Sequence, residues 1–329
     1  MSAQTSIQVR PATDDERPAV LQLLQASLGW NLAEGLADYF DWKHLRNPFG
    51  RSPAWVAVDR DRIVGFRTFL RWEFENRDGA RVSAVRAVDT ATHPDYQGRG
   101  IFRLLTLAAV EAMTAEGVQF VFNTPNDQSR PGYLKMGWHQ VGRPPTSVRV
   151  RSLGGVVRML SSRVPADRWP LSDAAGSPAV ELVGDPRVDE LLAGLSPPRG
   201  LRTNRTRRYL EWRYGFAPLG YRAIAAGRDP AEGIAVFRLR RRGRAAEAAL
   251  CEVVVPRGAA RTARHLGRAV ARATGADYVV RLGRATPAGG YLPLPNQGPI
   301  LTWRALASTA AEPPPLDDWE LSLGDVELL

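Results

Sequence analysis

Apolar and polar residues alternate in some stretches of the chain and recur at helical spacing in others, and the order of these patterns sketches a fold. Ile7-Gln8-Val9-Arg10 predicts a short strand that stops at Pro11. Thr13 or Asp14 then caps a helix with Pro18 in its first turn and Leu21, Leu24 and Leu28 along one face. A second helical region spans 31–44, before the break at Asn47-Pro48. Its Tyr39, Trp42 and Leu45 suit a core, or one wall of an acceptor cleft, and the core is favoured. Residues 55–58 and 63–72 read as strands across the turn Asp59-Arg60-Asp61-Arg62, and Arg77-Asp78-Gly79 leads into a strand over 81–92.

The next stretch organises the rest. Val85, Ala87 and Asp89 alternate with Arg86, Val88 and Thr90, and Pro94 ends the run. Asp95-Tyr96-Gln97-Gly98-Arg99-Gly100 is a polar turn, and Ile101, Leu104, Leu105, Ala108 and Met113 follow at helical spacing. A glycine turn feeding a helix N-terminus suits a phosphate, because the first N–H groups of a helix lack intrahelical acceptors. Gly98 and Gly100 permit close main-chain approach and Arg99 adds charge; an ordinary strand-to-helix turn fits the same residues. A strand over 119–123, a helix over 129–136 and strands over 139–150 follow.

Three ordered signals in this region closely resemble the GNAT N-acyltransferase superfamily. Tyr96-Gln97-Gly98-Arg99-Gly100 has the form of its Tyr-Arg/Gln-Gly-x-Gly turn, although the strict Gln/Arg-x-x-Gly-x-Gly/Ala spacing is met only in part from Gln97. Asn126 follows the next strand, and Tyr133-Leu134-Lys135-Met136-Gly137-Trp138 resembles the family's Tyr-x-x-x-Gly-Phe segment. The turn is not the G-x-G-x-x-G of a dinucleotide fold. The resemblance implies a mixed sheet whose central strands splay to admit an acyl-pantetheine arm. It assigns the coenzyme pyrophosphate to Gln97, Gly98, Arg99, Gly100, Ile101 and Phe102, the thioester carbonyl to backbone near Ala91 and Thr92, and the arm to Asn126. Asn126 also suits an Asx turn. Tyr133 is implied as the acid that protonates the departing thiolate. Asp89, the nearest acid, is the candidate acceptor of the amine proton, with His93, Glu73 and Glu75 behind it.

The second half echoes the first. Tyr39-Phe40-Asp41-Trp42-Lys43 is answered by Tyr209-Leu210-Glu211-Trp212-Arg213, and Val64-Gly65-Phe66 by Gly233-Ile234-Ala235-Val236-Phe237. Matching order over this length points to a duplicated module. Pro256-Arg257-Gly258-Ala259-Ala260 stands where the first half has its glycine turn, and nothing matches Tyr133. The expected fold is therefore α+β (mixed α/β), with two GNAT-like domains, each a centrally splayed mixed sheet flanked by helices. A catalytic domain occupies 1–150, a Ser/Pro/Gly-rich linker 151–178 with a short helix near 154–160, and a degenerate, coenzyme-free domain 179–329.

Composition narrows the remaining choices. With 44% hydrophobic and 24% charged residues over 329 positions, the chain is globular and long enough for two domains. Four His and the single Cys251 exclude a disulfide framework and argue against a metal site, so none is expected. Cys251 lies in an apolar strand and reads as buried rather than as an acyl carrier. The formal charge is +10, almost all of the basic residues being arginine, and Arg238-Leu239-Arg240-Arg241-Arg242-Gly243-Arg244 reads as a solvated hairpin rather than a nucleic-acid site. No apolar run is long enough to span a membrane, and 1–11 has no signal core, so a cytoplasmic monomer or homodimer is expected. The implied activity is acyl-CoA-dependent N-acylation, in its simplest form transfer of acetyl from acetyl-CoA to a small-molecule amine by direct attack. A tRNA-dependent aminoacyl or peptidyl transferase of Fem-like type and a non-enzymatic acyl-CoA sensor are the alternatives.

Overall fold

The computed structural model describes residues 7–30, 35–162, 164–171, 175–307 and 312–326. The chain forms two compact units: the first comprises 1–74, 81–142 and 300–315, and the second 75–80, 143–299 and 316–329. Each is mixed α+β. No helix among the described residues is long and apolar enough to cross a membrane.

The first unit opens with β1 (Gln8–Pro11), α1 (Arg17–Leu28) and α2 (Leu36–His44). A short turn of 3-10 helix precedes α1, where Thr13 N donates to Glu16 Oε2 at 2.9 Å. In α1, Leu21 and Leu24 are buried but Leu28 is 43% exposed, because Val20 and Leu23 complete the inner face. The start of the second helical region, 31–34, lies outside the described residues. Next come β2 (Ala54–Asp59), β3 (Arg62–Glu75), β4 (Arg81–Thr92), α3 (Ile101–Ala115), β5 (Phe120–Asn123), α4 (Arg130–Lys135) and β6 (His139–Gly142). The strands lie in the order β1-β2-β3-β4-β5, then Leu301–Ala305, then β6. Ile101, Leu105, Ala109 and Met113 of α3 pack on Val64, Val85, Ala87 and Val121 in one apolar cluster, while Leu104 faces out.

The parallel pairing of β4 with β5 covers Ala84↔Phe120 to Arg86↔Phe122. β4 runs on to Thr92 whereas β5 ends at Asn123, so the last residues of β4 extend past the end of β5.

The second sheet repeats the sequence of events. Arg222–Ala225, Ile234–Arg242 and Ala245–Val254 pair antiparallel, the helix Ala260–Thr274 follows, and Tyr278–Leu282 pairs parallel to Ala245–Val254. Cys251 is buried.

Three sequence expectations differ here. The strand Thr146–Val150, assigned to the first half, pairs with Tyr278–Leu282 in the second sheet. Pro144 and Pro145 break the path after β6, since proline donates nothing to a ladder. Its vacated role in the first sheet is filled by Leu301–Ala305, whose Thr302 and Trp303 pair with Asn123 and Phe122. The segment read as a linker contains the expected helix, Leu153–Ser161, but is no free tether. Asp167 N and Leu171 N donate to the carbonyls of Arg241 and Leu239. The arginine run is not a solvated face either. Alternation turns Arg238 and Arg240 inward, where Arg240 and Arg242 share Glu247 at 2.6 and 2.8 Å. Of its arginines, Arg241 and Arg244 are exposed.

Candidate active site

The turn before α3 leaves Gln97, Gly98, Arg99 and Gly100 exposed. Gly98 and Gly100 have φ of +76 and +75, and a Cβ at either would meet nothing within 4 Å. Both therefore need glycine's conformational freedom, and the surface over them is open. Gly100 is the residue from which α3 starts, and the 15-residue helix directs its first N–H groups at this surface. Arg99 folds over the Tyr96 ring at 4.6 Å, and the Tyr96 hydroxyl donates to Asp59 at 2.7 Å, which pins the turn to the end of β2. Ile101 is buried below, and Phe102 reaches inward.

Phe102 meets Tyr133 edge to face, with ring centroids 5.3 Å apart. Tyr133 lies on α4, buried, with Trp138 5.1 Å from its ring on another side. Its hydroxyl accepts a hydrogen bond from Nη1 of Arg67 at 2.7 Å. Arg67 comes from β3, is fully buried, and also donates to the hydroxyl of Thr90 on β4. Its guanidinium lies over the rings of Phe69, Phe102 and Tyr133 at 4.9 to 5.8 Å. Nε and Nη2 donate to no group among the described residues. A buried cation with two idle donors is costly unless something else accepts from it.

Asp89 sits beside Thr90 but faces the other way. Its Oδ2 is 2.8 Å from Lys43 Nζ and 2.8 Å from His44 Nε2, both at the end of α2. Its φ is +40, a left-handed conformation that an aspartate tolerates better than most residues. Burial pushes its carboxyl up, but Lys43 and His44 more than offset this and hold it well below the usual carboxylate range. His44 is fully buried, and burial pushes its imidazole down against the pull of Asp89. Its Nδ1 is 3.0 Å from the hydroxyl of Ser52.

The expected residues thus divide. Tyr133 meets Phe102 in the first turn of α3, just after the glycine turn. Ala91 is buried in β4, and the Thr92 carbonyl accepts from Ser27 Oγ at 3.1 Å. Asn126 is exposed and its Oδ1 accepts from Ser129 N and Oγ, an Asx turn that starts α4. His93 belongs to the turn, its Nδ1 accepting from Asp95 N. Glu73 lies 3.7 Å from Arg81, and Glu75 is paired with Arg202 at 3.1 Å. Arg67, Lys43, His44 and Ser52 were not anticipated, although Lys43 is one of two lysines in a chain that otherwise uses arginine.

An acyl-CoA fits these residues: an open glycine cradle on a helix start, a stretch of β4 running past the end of β5, and idle N–H donors beside a buried phenol.

This is the fold of the GNAT acyltransferase superfamily. A sequence profile for the Acetyltransferase (GNAT) domain matches residues 8–141. The mycothiol acetyltransferase of Rhodococcus jostii is 27% identical over 143 residues, 41% of this chain and 46% of that protein, so the match spans about half of that relative's length. Among solved structures, a probable N-acyltransferase of unknown function from Enterococcus faecalis and a GCN5-related N-acetyltransferase from Anabaena variabilis each superpose with a TM-score of 0.65. Each is 14% identical, with 92% of this chain and 73% of the other covered.

Proposed function

We propose that the protein is an acyl-CoA-dependent N-acyltransferase, in its simplest form an N-acetyltransferase that uses acetyl-CoA and a small-molecule amine. The observation that carries this reading is the buried Tyr133 phenol, held by Arg67, which also reaches Thr90 of β4, and packed on Phe102 at the start of α3. A bound acyl-CoA would supply the activated thioester; Gln97, Gly98, Arg99, Gly100, Ile101 and Phe102 would hold its pyrophosphate. The Ala91 and Thr92 segment would lie along the thioester, and Asn126, while starting α4, would border the arm.

In the reaction a C–N bond forms as the C–S bond breaks, with the electron pair leaving on sulfur. Tyr133 gives its proton to that sulfur. Arg67 stabilises the phenolate that results, and the phenolate is reprotonated from solvent. Asp89 serves the amine side through His44 rather than as a free base, because Lys43 and His44 already occupy its carboxylate.

The second unit is assigned no coenzyme. Ala259 precedes its helix, with Pro256, Arg257 and Gly258 in place of the glycine turn. The protein acts as a monomer or homodimer in the cytoplasm without a metal or nucleic-acid partner. Calorimetry with acetyl-CoA, followed by turnover of an amine panel with labelled acetyl-CoA, tests the reading. One coenzyme per chain and an acylated amine are expected; absence of coenzyme binding would overturn it.

A further inference from the structure

A cavity of about 670 Å³ opens within the first unit, on the α1 and α2 side of the sheet. That volume is in the range of small-molecule sites. Val20, Phe40, Leu45 and Phe66 give it apolar walls, and Ser52 and His44 are its polar floor. Resting on the acyltransferase reading, we infer that this cavity is the acceptor pocket, that it takes a monoamine on an apolar or aromatic body, and that the amine's proton leaves through Ser52 and His44.

The direction of the proton follows from hydrogen-bond chemistry. An ionised Asp89 only accepts, so His44 Nε2 carries the hydrogen between them. In a neutral imidazole Nδ1 is then an acceptor, and Ser52 donates its O–H to it. The lone pairs of Ser52 Oγ remain for a donor in the cavity, which is what an ammonium provides. The amine N–H bond breaks toward Ser52 Oγ as the Ser52 proton passes to Nδ1. The nitrogen keeps its lone pair for attack, and His44 becomes an imidazolium held by Asp89. That proton passes to solvent, and after the C–N bond has formed the acylated nitrogen loses its second N–H proton by the same route, through Ser52 and His44 to solvent. Asp89 and Thr90 are adjacent in β4, and Thr90 shares Arg67 with Tyr133. The two proton routes therefore flank one strand.

The mouth selects against polycations. Arg51 is paired with Asp14, and Arg17 with Asp41 at 2.7 Å. Arg71 is paired with Glu116 at 2.6 Å. The one acid lining the cavity, Asp14, is thus already matched by an arginine, and a second ammonium would find no counter-charge there. An aryl or alkyl body finds Phe40 and Leu45 instead.

The groups that set the charge of His44 are Asp89 from β4, Lys43 and Asp41 from α2, and Ser52 from the loop before β2, with the Phe40 ring 4.7 Å away. The test uses the full chain with 2-phenylethylamine and spermidine as probes. Binding is read by calorimetry in the presence of coenzyme A, and turnover with acetyl-CoA. The monoamine is expected to bind and turn over at least tenfold better than spermidine, and Leu45→Trp to weaken its binding about tenfold. Ser52→Ala is expected to lower kcat/KM by about 100-fold or more with acetyl-CoA affinity unchanged. Its pH profile would lose the histidine limb, and Ser52→Thr would recover most of the rate. If acetyl-CoA does not bind the wild type, the acyltransferase reading falls and takes the inference with it. If acetyl-CoA binds but spermidine is preferred, Leu45→Trp changes nothing, or Ser52→Ala stays within threefold of wild type, the inference alone is overturned.

Discussion

Nη1 of Arg67 donates to the Tyr133 hydroxyl at 2.7 Å, so the phenol oxygen is already an acceptor and its own proton is the one left to give. Tyr133→Phe keeps the ring contacts with Phe102 and Trp138 and removes that proton alone. It is expected to lower kcat by about 10²–10⁴-fold while acetyl-CoA binds as before. In Arg67→Met the phenol remains but loses its neighbouring cation, and kcat falls again. Steady-state kinetics beside calorimetry separates both effects from a loss of coenzyme.

Asp89→Asn preserves a residue type at ease with φ +40 and takes the counter-charge from a lysine that is 1% exposed. Removing one partner of a buried pair costs about 3–5 kcal/mol, so denaturant midpoints are expected to fall steeply. Asp89→Asn melting with the wild type would show that Lys43 does not depend on this carboxylate.

Acid acts on the same cluster in two stages. His44 is held below its ordinary value, so its contribution is full above the unfolded histidine pKa of about 6.5 and is lost as pH falls toward the folded value. Asp89 is also held low, so its contribution is full above the unfolded pKa of about 3.9 and is lost as pH falls below that. Unfolding free energy measured from pH 7.5 to 3 is expected to decline first below about 6.5 and again below about 4. In His44→Gln the first decline disappears.

Gly100→Val and Gly258→Val place a branched side chain at φ +75 and +79, where the Cβ of either meets nothing within 4 Å. Strain is therefore similar, about 1–2 kcal/mol, and both variants should fold. Only Gly100→Val is expected to weaken acetyl-CoA binding, by tenfold or more, because only that turn is assigned the pyrophosphate. Equal losses by calorimetry would refute the asymmetry between the halves.

Glu247 is 2% exposed and accepts from Arg240, Arg242 and the Tyr278 hydroxyl. Glu247→Gln leaves the buried Arg240 without its carboxylate, and a loss of about 3–5 kcal/mol is expected in thermal or denaturant melts. An unchanged melting point would mean that water or another group takes over.

The glycine turn and Tyr133 were legible in the sequence because each lies within a local motif whose spacing is its geometry. Arg67 and His44 were not, because their partners arrive from other strands and helices. The face of β4 was hidden for a more specific reason. Val85 and Ala87 pack with α3, and strict alternation would send Asp89 the same way. The left-handed backbone at Asp89 breaks that alternation, turning its carboxylate to α2 and Thr90 to Arg67. The expected boundary near 150 failed similarly, since only pairing shows that 146–150 and 301–305 serve different sheets.

That last arrangement bears on how the protein is made. Trp303 and Thr302 stand between β5 and β6, and Thr302 closes a hydrogen bond to Asn123 across 179 positions of sequence. During synthesis the amino-terminal sheet waits for residues 301–305 to leave the ribosome before its interior ladder can close. Until then β5 presents an open edge with Phe120 and Phe122 beside it. A polypeptide ended at residue 150 would keep that edge permanently and is expected to aggregate, whereas supplying 300–315 as a separate peptide offers a way to complement it.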